Sequence, residues 1–145
     1  MKTPAALLRK FRKSRDGAAA VEFAIVIPLF LMMVFGIVIY GAYLAVVHGV
    51  QQLAAEAARS SIAGLSDNER QQLAQSYVTD NVKSYPLISP AKLSVDAGAA
   101  SDNANVYVVT VHYDASGMFI YALPTIVPAP SPNIVRSAAI QRGGY

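Results

Sequence analysis

The chain has 145 residues, of which 54% are hydrophobic and 14% charged, with no Cys and two His. No Cys means no disulfides, no thiolate nucleophile and no cysteine-ligated metal or cluster, and His48 and His112 are too few for a His-rich metal site in one chain. The net charge of +3 is uneven: residues 1–16 carry six bases against Asp16, while residues 17–145 carry six bases against eight acids. Such a basic head on a mildly acidic body argues against a nucleic-acid binder, which spreads positive charge over a folded face.

The basic head runs directly into an apolar segment. Phe23 to Ala55 contains no Asp, Glu, Lys or Arg, and its most apolar part is FAIVIPLFLMMVFGIVIYGAYLAVV, Phe23 to Val47. About 20 apolar residues in a helix cross a ~30 Å hydrocarbon layer, so this segment is long enough to span. A buried core helix is the competing reading, but a helix apolar all round needs a large protein to surround it. Too few residues follow Gly64 to do that. A cleaved secretory signal would have a shorter apolar core of about 7–15 residues. Basic residues stay on the cytoplasmic side, which puts residues 1–17 in the cytoplasm and the C-terminal part outside it. Tyr40, Tyr43 and His48 are expected near the outer interface, where aromatic rings prefer to lie.

Glu22 stands at the edge of the apolar run, inside AAAVEFAIVIP. A carboxylate at a bilayer centre costs about 2.5–3.5 kcal/mol or more. One reading is an interfacial acid favoured by the positive end of the helix dipole. The other comes from spacing. A cut after Gly17 would create a new amine on Ala18, with Glu22 four residues on, about 6 Å along the helix axis. Amine and carboxylate would then neutralise each other, within one chain or between neighbours, and such a buried pair can specify register. Ala18, Ala19 and Ala20 leave room for a protease or a second helix.

RDGAAAVEFAIVIPLF, Arg15 to Phe30, resembles the N-terminus of the TadE-like minor pseudopilins of the tight-adherence (Flp-type) pilus system. That family, itself similar to type IV prepilins, has a basic leader, a Gly before the cut, and Glu-Phe or Glu-Tyr at mature positions five and six. Here these are Gly17, Glu22 and Phe23, and Pro28 also stands where the family tends to carry Pro. The similarity continues more weakly through Gly36 to Ile62. The chain departs from the pattern in having Ile39 where many members have an acid. It also has Ala18, not Phe, after the expected cut, which favours the tight-adherence branch over type II secretion pseudopilins. The resemblance implies cleavage between Gly17 and Ala18 by a membrane-embedded prepilin peptidase, with this chain as substrate and not as enzyme.

Downstream, Pro28 lies inside the expected span, where a kink or a locally melted turn near Ala24–Pro28 is expected. Gly41, Ala45 and Gly49 recur every four residues, a small-residue stripe that would permit close helix–helix contact. QQLAAEAARSSIAG continues the helix, with Leu53, Ala57, Ala58 and Ile62 on one face and Gln52, Glu56 and Arg59 off it. Glu56 and Arg59 are spaced to pair, and Gly64 is a natural stop. Ala18 to Ala63 as a single helix would be about 69 Å long.

The remainder reads as a small α+β domain. Ser66 to Glu69 fits a capping box, with Leu73, Ala74, Tyr77 and Val78 on the buried face of a second helix ended by Pro86 and Pro90. A short strand is expected around Leu93 and Val95, then a turn region from Asp96 to Asn105. The strongest strand covers about residues 104–114, is apolar on both faces and so is expected in the centre. A last strand is expected from Ile134 to Ile140. Ser116 to Asn133 is uncharged and holds Pro124, Pro128, Pro130 and Pro132. It is either a loop over a sheet edge or an apolar surface for another pilus subunit. No catalytic constellation or phosphate loop stands out, and His112 reads as a strand residue.

These readings combine into an α+β, type IV pilin-like fold: a long N-terminal helix and a small extracytoplasmic domain with one further helix and a short antiparallel sheet. The divisions are a leader at 1–17, a transmembrane helix at 18–47, an amphipathic extension at 48–64 and a domain at 65–145. Gly17, Ala18, Glu22 and Phe23 form the processing site, and Glu22, Pro28, Gly41, Ala45 and Gly49 are assembly positions; no metal or cofactor is expected. The resemblance implies a single-pass protein of a bacterial inner membrane, its domain periplasmic, that helps initiate or assemble an adhesive pilus and could enter the filament. Its implied partners are the peptidase, other pilins and minor pseudopilins, the assembly platform and the lipid bilayer. The alternatives are an uncut signal-anchored binding module and a membrane-anchored hydrolase built around His112.

Overall fold

The computed structural model describes residues 15–122 and 129–142. Most of the basic leader, Met1–Ser14, lies outside the described residues, as do residues 123–128 of the Pro-rich stretch. The chain divides into two units, Met1–Ile39 and Tyr40–Tyr145.

Helix α1, Arg15–Ser60, runs through both units. In the first unit its apolar side chains are uncovered: Phe23, Ile25, Leu29, Phe30, Met32, Met33, Ile37 and Val38 are all exposed. Such a surface is stable only in an apolar medium or against another protein. The helix passes unbroken through Pro28, so no turn is melted at Ala24–Pro28.

In the second unit one stripe of α1 becomes core. Val46, Val50, Leu53, Ala54, Ala57, Ala58 and Ser61 are fully buried, at the three- and four-residue steps that keep side chains on one helix face. Ile62, expected on that face, is exposed instead. At 3.6 residues per turn, the nine positions from Leu53 to Ile62 put them about half a turn apart. Ser61 takes the inward place, and its hydroxyl donates to the Ala58 carbonyl at 2.7 Å. Gln52, Glu56 and Arg59 lie off the buried face as expected, with Arg59 Nη1 3.1 Å from Glu56 Oε1.

A 3-10 turn, Ser61–Ala63, ends the helix at Gly64. Gly64 has ordinary extended dihedrals (φ −72°, ψ 137°), so it is not needed for left-handed backbone. It is needed for space: a Cβ there would lie 2.5 Å from Arg70 Cγ and 2.7 Å from Arg70 N.

Helix α2, Asp67–Asn81, begins as the capping signal predicts. The Glu69 N–H donates to Ser66 Oγ at 3.2 Å, and Glu69 Oε2 accepts from the Leu65 N–H at 2.8 Å, one residue before the usual capping-box donor. Ala74 and Val78 are buried, while Leu73 and Tyr77 are partly covered. The helix gives way to 3-10 turns at Val82–Ser84 and Pro90–Lys92, with Pro86 between them.

The sheet has three antiparallel strands, β1 (Leu93–Ala99), β2 (Val106–Asp114) and β3 (Asn133–Gln141), in the order β1-β2-β3. The strand expected at 104–114 is the central one. The turn expected from Asp96 to Asn105 must be corrected: Asp96–Ala99 continue β1, pairing with Thr110, Val109, Val108 and Tyr107. The small and acidic residues there have low strand propensity, but pairing with a strong central strand overrides it.

One face of β2, formed by Tyr107, Val109, Val111 and Tyr113, is buried in the same core as α1 and α2. The other face, formed by Val106, Val108, Thr110 and His112, is half-exposed. Across it, Thr110 Oγ1 lies 2.9 Å from Ser137 Oγ, and His112 Nε2 lies 3.2 Å from Asp96 Oδ2. The second unit is thus two layers, helices on sheet, around one core.

Candidate functional site

The expected processing site falls in the first helical turns of the described chain. Gly17 is the third residue of α1, so the Gly17–Ala18 bond lies within the helix. Ala18, Glu22 and Phe23 are all exposed. Four residues at 100° each return to within about 40° of the same azimuth, so Ala18 and Glu22 share a face. Among the described residues, no side chain pairs with the Glu22 carboxylate.

The expected packing stripe is divided by the fold. Gly41 and Ala45 are exposed, and a Cβ on Gly41 would meet nothing within 4 Å. Gly49 is buried against its own domain: a Cβ there would stand 2.9 Å from Ile88 Cδ1 and 3.0 Å from Tyr85 Cδ1. Gly49 therefore admits the Tyr85–Ile88 segment, not a second helix. A Gly49→Val chain is expected to lose about 1–3 kcal/mol by overpacking, with little change for Gly41→Val. Denaturant midpoints of the two variants in detergent check this.

Tyr43, expected near the outer interface, is also a core contact. It packs against the core, and its hydroxyl donates to the Ser131 carbonyl at 3.2 Å. The packed part of α1 thus begins at Tyr43 and Val46, ahead of residue 48. Tyr43, Val46, Val50, Leu53 and Ala57 follow a heptad-like spacing that continues the amphipathic pattern upstream. The sequence pattern hides this spacing, because the segment is apolar on every side. His48 stays exposed and bonds through Nδ1 to the Leu44 carbonyl at 2.8 Å.

At the far end of the second unit lies a cluster with no local sequence signal. The Tyr107 ring has the Arg142 guanidinium 5.3 Å and the Arg70 guanidinium 5.9 Å from its centroid, both within cation–π range. The Tyr107 hydroxyl donates to the Asp67 carbonyl at 3.3 Å, and Arg142 Nη2 lies 2.7 Å from Asp67 Oδ1. These contacts tie the start of α2 to the end of β3.

Burial raises the pKa of Tyr85, Tyr107 and Tyr121 above the ordinary tyrosine value of 10.0; for Tyr107 the neighbouring Asp67 adds to the rise and the two arginines oppose it. Raised folded-state values favour the neutral phenol in the native protein. Their contribution is therefore fully present below the unfolded-state pKa and is lost as pH rises through the folded values. Stability is expected to fall above about pH 10, and Tyr107→Phe is expected to flatten that fall. Urea titrations between neutral and strongly alkaline pH test both.

No group of three or more potential metal ligands occurs among the described residues. Among the described residues, His112 has Asp96 beside it and no nucleophile as a hydrogen-bond or ion-pair partner. The site with a recognisable pattern is the helix start and the apolar surface after it.

The layout defined by these elements is α+β and pilin-like: a long N-terminal apolar helix, one further helix and a three-stranded antiparallel sheet. Residues 17–59 match the family model described as TadE-like protein. No curated protein and no solved structure matches the chain. The match begins at Gly17, contains Glu22, Phe23, Pro28, Gly41, Ala45 and Gly49, and ends within the packed part of α1. Similarity of this segment to TadE-like proteins suggests involvement in the tight-adherence pilus system.

Proposed function

We propose that the chain is a minor pseudopilin of a tight-adherence pilus, held in a bacterial inner membrane by α1 and released from its basic leader by a prepilin peptidase between Gly17 and Ala18. The basic leader faces the cytoplasm and the second unit the periplasm. Its role is mechanical, not enzymatic. The helix stores the subunit in lipid, cleavage creates the Ala18 amine, and Glu22 pairs with that amine as the subunit packs against other pilins and minor pseudopilins at the assembly platform. Nucleic acid has no part in it.

The carrying observation is the family match beginning at Gly17 on a helix whose following apolar surface is exposed. The helix is long and apolar enough to cross a membrane, with none of its most apolar window buried. The acid placed one turn after the expected cut supports the same reading.

Mass spectrometry of the chain extracted from membranes of peptidase-expressing cells tests it. The expected mature N-terminus is Ala18, and Gly17→Leu is expected to leave the leader attached. An intact leader on the wild-type chain would overturn processing and favour an uncut, signal-anchored binding module.

A further inference from the structure

We propose that the second unit rests on the bilayer through the 3-10 turn Phe119–Ala122, with the Phe119 ring inserted at the level of the lipid headgroups. The turn is built to hold that ring outward. The Met118 N–H donates to the Ala115 carbonyl at 2.9 Å, and the Tyr121 N–H to the Met118 carbonyl at 3.1 Å. Ile120 points inward and is 4% exposed, and Met118 and Tyr121 pack on the core. Phe119, between them, stays 67% exposed.

An exposed aromatic side chain alone means little, so its place in the fold carries the argument. The Ala115 N–H donates to the Pro132 carbonyl at 2.8 Å, and the neighbouring Ser131 carbonyl accepts from Tyr43. Tyr43 is also close enough to Tyr121 to help raise its pKa. These contacts put the turn at the end of the unit where the chain arrives from the apolar segment. The Asp67, Arg70 and Arg142 cluster around Tyr107 marks the opposite end.

The inference rests on the membrane-spanning reading of α1. About 20 residues cross the hydrocarbon, so a span entered at Phe23 is complete near Ala42. That brings the first residues of the second unit to the outer headgroup region, the level that aromatic rings favour. Beside this turn lie Lys92 and Asp114, whose Nζ and Oδ2 are 4.0 Å apart. They offset each other, so lipid contact here depends on ring insertion more than on attraction to anionic headgroups.

The chain has no Trp, so Phe119→Trp supplies a single tryptophan, excited selectively at wavelengths that tyrosine does not absorb. The full-length variant is reconstituted into phosphatidylethanolamine–phosphatidylglycerol vesicles with or without acyl-brominated lipid. Phe30→Trp, in the apolar segment, and Leu65→Trp, on a residue 93% exposed next to Gly64 and the α2 start, are the references. The expected result is blue-shifted Phe119→Trp emission that loses most of its intensity with brominated lipid, together with a quenched Phe30→Trp and an unquenched Leu65→Trp. Unquenched Phe119→Trp beside quenched Phe30→Trp overturns the lipid contact and leaves the span intact. Blue-shifted but unquenched emission is one form of that result and marks a second copy or another subunit as the cover. Unquenched Phe30→Trp overturns the span and this inference together. Leu65→Trp quenched as strongly as Phe119→Trp also overturns it, because contact would then not be specific to this rim.

Discussion

A Glu22→Gln chain is expected to be cut after Gly17 as the wild type is, yet to leave cells with at least about tenfold fewer pili. A carboxylate at a bilayer centre costs about 2.5–3.5 kcal/mol or more, and one at the edge of the span costs less; a difference of only ~1.4 kcal/mol is already a factor of ten in an equilibrium. In the mature helix the Ala18 amine would lie on the same face as Glu22, about 6 Å along the axis. Gln keeps the size and polarity of the side chain and removes the charge. The amine then loses its partner, and a misregistered subunit is no more costly than a correctly registered one. Folding is not the step affected, because Glu22 is exposed and is not one of the core residues. Pilus counts by electron microscopy, with mass spectrometry of the same cells, separate these steps. Wild-type pilus numbers on Glu22→Gln cells would end the pairing account.

Leu53→Ala is expected to destabilise the second unit by about 2–5 kcal/mol, the range for a large-to-small change in a core. Leu53 is fully buried where α1 meets the rest of the core. The loss combines the removed apolar surface with the cavity left between elements that cannot fully collapse. Val38→Ala, in the same helix but 62% exposed, is the counterpart: it removes no intramolecular contact of the core. Its expected effect on unfolding of the second unit in detergent is near zero. Equal shifts for the two variants would mean that α1 is not part of that core.

The pair of predictions rests on a contrast that sequence periodicity does not resolve. From Phe23 to Val47 nearly every residue is apolar, so the pattern announces a span but hides where the helix turns from exposed to packed. Tyr43 and Val46 belong to the core, although they sit inside the apolar run. Further on, where Gln52, Glu56 and Arg59 break the run, the buried face reads clearly except at Ile62, whose spacing from Leu53 does not fit one face.

Local chemistry was legible wherever it acts over a few residues. The charge-free run, the Ser66 cap and the alternation of Val106 to Asp114 are short-range signals whose physical cause lies within a turn or a strand. Tertiary structure decided what depends on residues distant in the chain. It extended β1 to Ala99 because β2 offered partners for its backbone. It used Gly49 for Tyr85 and Ile88 and set Tyr107 between Arg70 and Arg142. It also held Phe119 outward by burying Ile120. Each of these is a contact between surfaces that periodicity cannot register, because packing selects among faces that propensity leaves equivalent.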